Sequence, residues 1–125
     1  MLRDSNVMAT IAVRKIDVAR RFYEETLGLE LTGTEGDAVR AYRSGSSTVL
    51  VYESHFAGTN KATSATWIVG DALDAVVRAL TAKGVKFEHY DLPDTTRQGA
   101  IHVSGKTRVA WFKDPDGNTL SIVNG

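Results

Sequence analysis

One pattern occurs twice along this chain, and it constrains the fold more than any single motif does. Lys15–Gly28 and Asp71–Gly84 span the same interval, and each leads through an amphipathic stretch to a glycine. Before the first, Val7–Val13 reads as a strand with Ala9, Ile11 and Val13 on one face and Met8, Thr10 and Ala12 on the other. From Ile16 to Leu27 the period becomes helical: Ala19, Phe22, Tyr23, Thr26 and Leu27 form one stripe, and Gly28 stands at a left-handed C-cap. Strands follow at Leu29–Thr34, Val39–Ser44 and Thr48–Ser54, with turn signals at Gly36-Asp37 and Ser44-Gly45-Ser46. A polar, small-residue connector (His55–Ala62) precedes the second copy. There Thr63–Val69 is the strand, Asp71 the expected N-cap, and Ala72–Lys83 a helix with Leu73, Val76, Val77 and Leu80 as its apolar stripe. Lys86–Tyr90, Arg108–Lys113 and Thr119–Val123 complete it. Two β-α-β-β-β units in tandem predict an α+β fold, a single domain over residues 1–125 with modules at about 7–55 and 63–125.

Charge and cysteine content narrow the function classes. Lys+Arg and Asp+Glu number 15 each, so no basic excess favours nucleic acid or an anionic membrane. The absence of cysteine removes disulfides, zinc–thiolate sites and thiol nucleophiles. The polar start and the lack of a long apolar run lead to the expectation of a soluble cytoplasmic protein with no membrane partner.

The C-terminal stretch Trp111–Val123 reads as two strands around a turn, Asp114-Pro115-Asp116-Gly117-Asn118, in which Pro115 presets φ and the residues after it tolerate positive φ. This stretch resembles the closing hairpin of the vicinal oxygen chelate superfamily, which includes glyoxalases, bleomycin-resistance proteins and extradiol dioxygenases. Ala19-Arg20-Arg21-Phe22-Tyr23, with Leu27-Gly28-Leu29, is similar to the first-helix signature of the same superfamily. The resemblance implies two modules whose curved mixed sheets enclose a pocket. It also implies a symmetric homodimer, with or without exchange of modules between chains.

In superfamily enzymes a divalent metal is held by His or Gln from each module's first strand and Glu from its last. The corresponding positions here are Met8 and Ser64 (or, two residues on, Thr10 and Thr66), with Leu50 and Ser121 on the last strands. A thioether, hydroxyls and an isobutyl group cannot replace imidazole and carboxylate donors, so no metal and no cofactor are expected. His55, His89 and His102 lack metal-motif spacing and read as solvated loop residues, and Glu53 and Glu88 as surface carboxylates. No G-x-S-x-G elbow supports a nucleophilic hydrolase.

Pocket-lining candidates come from strand alternation. They are Met8, Thr10, Arg40, Tyr42, Leu50 and Tyr52 in the first module, and Ser64, Thr66, His102, Phe112 and Ser121 in the second. Trp111 and Phe112 point to opposite faces, so one of them lines the cavity; Trp67 is expected in the core. Asp91–Gly105 is the longest irregular stretch, either a lid over the pocket or a less ordered surface loop. Such a set suits a small organic ligand, flat or anionic. The functional expectation is metal-independent sequestration of a small molecule, of the bleomycin-resistance type. The alternatives are a lyase, isomerase or dioxygenase with a non-standard metal site or none, and a domain acting only through protein contacts.

Overall fold

The structure, a computed structural model, describes residues 1–125. The chain divides into two compact units, Met1–Gly58 and Thr59–Gly125.

The first unit runs β1 (Ala9–Val13), α1 (Ile16–Arg20), β2 (Glu30–Glu35), β3 (Val39–Ser44) and β4 (Ser47–Glu53), in sheet order β1-β4-β3-β2. β1 pairs parallel with β4, and the other contacts are antiparallel. The expected helix continues past Arg20, but as a π-helical stretch, Arg21–Thr26. The Leu27 N–H reaches back to the Phe22 carbonyl, and Leu29 N–H to Tyr23, before Gly28 (φ 73°) turns the chain. The wider turn brings Tyr23 onto the sheet, where it stacks on Tyr42 at 6.2 Å. Ile16, Ala19 and Tyr23 from the helix meet Ile11, Val13, Tyr42, Val49 and Val51 from the strands in the core of this unit.

The second unit runs β5 (Thr63–Ile68), α2 (Leu73–Ala82), β6 (Phe87–Glu88), β7 (Thr96–Gln98), β8 (Ile101–Ser104), β9 (Thr107–Lys113) and β10 (Thr119–Val123). Its sheet order is β5-β10-β9-β8-β7, with β6 paired to the far half of β9. Arg108, on the same face of β9 as Ala110 and Phe112, makes a two-pronged ion pair with Asp74 of α2. This marks the helix-covered side, and Ala110, Phe112, Leu120 and Ile122 are buried there, with Leu73 and Leu80 buried on α2.

Two expectations about this unit require correction. Asp71 does not cap α2: the chain enters a 3-10 turn at Gly70–Ala72, and no side chain accepts from the helix start. Gly70 (φ 57°) lets the turn begin early and carries Asp71 into it. The stretch Asp91–Gly105 is not irregular throughout, because β7 and β8 form a hairpin within it, paired Thr96–Val103, Arg97–His102 and Gln98–Ile101. The hairpin closes through a two-residue turn, Gly99-Ala100. Gly45-Ser46 joins β3 to β4, and Gly105-Lys106 joins β8 to β9, in the same way. In all three the glycine comes first with φ near 60°, as a two-residue turn that keeps the strands' twist requires.

Candidate functional site

Strand register decides which side chains share the side of each sheet away from its helix. In the first unit Thr10 pairs with Leu50 and Leu50 with Ala41, while Ala12 pairs with Tyr52 and Tyr52 with Val39. Thr10, Leu50 and Tyr52 therefore share the open side, and Met8 lies half-exposed just before β1. Tyr42 and Arg40 do not join them. Tyr42 pairs with Val49 and is fully buried against Tyr23, and Arg40 pairs with Val51 on the same helix-facing side. Both leave the proposed lining, because the two-residue Gly45-Ser46 turn sets their register opposite to Leu50.

The Tyr42 hydroxyl donates to Glu24 Oε2 at 2.8 Å. Burial, followed by that bond and the Glu24 charge, pushes the phenol well above its ordinary value of 10.0. The folded chain thus holds this proton more tightly than the unfolded chain. The resulting stabilisation is complete below pH 10.0 and is lost as pH rises towards the folded-state value. Tyr42→Phe is expected to cost about 1 kcal/mol at neutral pH and to flatten the decline in urea midpoint between pH 9 and 11. An unchanged alkaline slope in the variant would count against this.

In the second unit Trp111 pairs with Ser121 and Ser121 with Thr66, so these three share the open side. Thr66 Oγ1 and Ser121 Oγ are hydrogen-bonded to each other at 2.7 Å, and Trp111 Nε1 donates to Thr63 Oγ1 at 3.2 Å. Ser64 is the extra residue of a bulge in β5, between Thr63 (opposite Thr119) and Ala65 (opposite Leu120). Phe112 lies in the core, fully buried and edge-on to Phe87 at 5.7 Å. Of the adjacent aromatic pair, Trp111 is the residue on the open side.

His102 is not a solvated loop residue. It sits on β8 opposite Val109, is 1% exposed, and packs edge-on against Trp111 at 4.9 Å. Tyr90, following β6, packs against both rings, 6.0 Å from His102 and 5.3 Å from Trp111. Its backbone N–H donates to His102 Nε2 at 3.0 Å. Sequence reasoning missed Tyr90 and the burial of His102; the alternation Ile101-His102-Val103-Ser104 after Gly99 signals the strand but not the rings that cover the imidazole.

The residues present do not fit a divalent ion. The corresponding positions carry a thioether (Met8), an isobutyl group (Leu50) and hydroxyls (Ser64, Ser121), and the Ser121 hydroxyl is already paired with Thr66. No three His, Asp or Glu side chains gather where they could hold a metal. His55 and Glu53 border a cleft of about 470 Å³ with Arg14, but Glu53 Oε1 accepts the Ile16 N–H at the start of α1. Asp114 and Asp116 belong to the closing turn, where Asp114 Oδ1 accepts the N–H groups of Asp116 and Asn118 and Oδ2 accepts from Asn118 Nδ2. No helix is long and apolar enough to cross a membrane.

Comparison with known proteins agrees with this architecture. The chain resembles an integron cassette protein from the mobile metagenome of the Halifax Harbour sewage outfall (TM-score 0.72, 18% identity, 96% of this chain and 97% of that one). It also resembles lactoylglutathione lyase from Agrobacterium tumefaciens (TM-score 0.71, 15% identity, 96% and 92%). A third similar structure is the fosfomycin resistance protein FosX of Listeria monocytogenes (TM-score 0.74, 14% identity, 98% and 91%). Likeness at such identities concerns the fold. No curated protein sequence matches the chain. A family profile matches residues 6–122, nearly the whole of both units, so this chain belongs to the Glyoxalase/Bleomycin resistance protein/Dioxygenase superfamily.

Proposed function

We propose that this protein binds a small organic molecule on the open side of its second sheet and sequesters it without a metal ion. The observation that carries this reading is the Thr66–Ser121 hydroxyl pair, which stands where imidazole and carboxylate donors would be needed, beside the half-buried Trp111 ring. Hydroxyls and an indole can orient and cover a flat ligand, but they supply neither the charge nor the donor number that a transition metal requires. Elemental analysis of protein purified without chelator is expected to find well under one divalent ion per chain. A thermal-shift screen is expected to respond to aromatic compounds and not to manganese, iron, nickel or zinc. One tightly held transition-metal ion per chain would overturn the reading in favour of a metalloenzyme.

The assembly that accompanies this reading is a symmetric homodimer. β1 and β5 are the outermost strands in their sheet orders, and Val7 (94% exposed) and Ile68 (77%) add apolar surface close to those strands. Light scattering at micromolar concentration is expected to give twice the 13.6 kDa chain mass. A monomer mass that stays constant on concentration would refute the dimer.

A further inference from the structure

His102 has an incomplete set of hydrogen bonds on the sheet side read above as the ligand surface. Its Nε2 accepts the Tyr90 N–H, so that nitrogen carries the lone pair, and in the neutral ring the proton sits on Nδ1. Nδ1 is buried and has no partner. A buried N–H without an acceptor is unfavourable, and folded chains keep few of them. On the same side of the sheet, Thr66 and Ser121 are paired with each other and the Trp111 indole with Thr63, while Arg97, opposite His102 on β7, is exposed to water. An incoming oxygen therefore gains most at Nδ1.

We propose that the His102 Nδ1–H is the hydrogen-bond donor to an oxygen of the bound ligand, with the Trp111 and Tyr90 rings packing on the flat group that bears it. The donor belongs to a neutral imidazole, and Lys113, on the same side of β9 as Trp111, is paired with Glu88 at 3.5 Å. The acceptor suited to this setting is a neutral carbonyl, so the ligand class is an aryl or conjugated carbonyl compound. Access requires little rearrangement. Trp111 and Tyr90 are only half-buried, so one layer of side chains covers the imidazole. Tyr90 follows a two-residue strand and precedes residues 91–94, all exposed, which makes it the least anchored part of that layer.

This inference rests on the small-molecule reading of the second sheet, and one pair of probes separates the two. Acetophenone and ethylbenzene share a carbon skeleton and differ in the carbonyl oxygen. With protein labelled at histidine nitrogen, acetophenone is expected to move the His102 Nδ1–H resonance and to bind at least about ten-fold more tightly than ethylbenzene, the worth of one hydrogen bond to an otherwise unpaired donor. In His102→Phe, which keeps a ring in place, that preference is expected to fall below about three-fold while ethylbenzene still binds. Equal binding of both compounds with His102 unmoved overturns the inference alone, as does a preference that survives in the variant. Binding of neither compound overturns the small-molecule reading with it. The shift in the unmodified protein decides the matter if His102→Phe does not fold.

Discussion

Cutting Phe112 back to alanine is expected to remove about 3–5 kcal/mol of stability, whereas the same change at Trp111 removes less than about 2. The two residues are neighbours in sequence and differ in side. Phe112 is fully buried among Ala110, Leu120 and the edge of Phe87, so its loss leaves a cavity that the rigid sheet cannot collapse. Trp111 faces the open side, where its removal costs ring contacts with His102 and Tyr90 and the bond to Thr63, but opens onto solvent. A domain of this size has about 5–15 kcal/mol in total, so the Phe112 variant should unfold at much lower urea while the Trp111 variant remains folded and loses ligand response. Equal shifts in urea midpoint for the two variants would show that the assignment of sides is wrong.

Asp114→Ala is expected to cost about 3–4 kcal/mol, more than turn residues usually do. The carboxylate is nearly buried and accepts the backbone N–H of Asp116, the backbone N–H of Asn118 and the side-chain amide of Asn118. Alanine leaves those donors without acceptors, two of them on the buried Asn118. Asp114→Asn restores one acceptor but turns an NH₂ towards the Asn118 amide, and is expected to fall between the two. Thermal or urea unfolding of the three proteins tests the order. A midpoint for Asp114→Ala within about 0.5 kcal/mol of the parent would mean that the turn is held by the backbone alone. The Asp-Pro-Asp-Gly-Asn motif is on this account a folding element: it sets the register that places Trp111 opposite Ser121.

That register explains how far the site was legible before the structure. The repeated strand–helix–glycine pattern was enough for the two βαβββ-like sheets, because periodicity and glycine caps are local signals. The sides of the strands needed pairing information as well. Counting from a two-residue turn at Gly45-Ser46 pairs Tyr42 with Val49 and Ala41 with Leu50, so Tyr42 and Leu50 could not share a side. Counting from the closing turn pairs Ser121 with Trp111 and leaves Phe112 with Leu120. Both were within reach of the sequence once turn length was used to fix register. The burial of His102 was not. It depends on Tyr90 and Trp111, brought to it by β6 and β8 pairing with opposite halves of one strand, β9. Nothing in the composition of residues 91–105 announces that arrangement.

The start of α1 has a kinetic consequence. Lys15, at the N-cap, supplies no side-chain acceptor, and the first helical N–H is satisfied instead by Glu53, 37 residues further on at the end of β4. A helix capped by its own neighbour can nucleate alone, in about a microsecond. This one is completed only after a long loop has closed, at an entropic cost that must be met before the bond can form. The bond that completes the first turn of α1 is therefore expected to form together with the docking of β1 beside β4 and not before it.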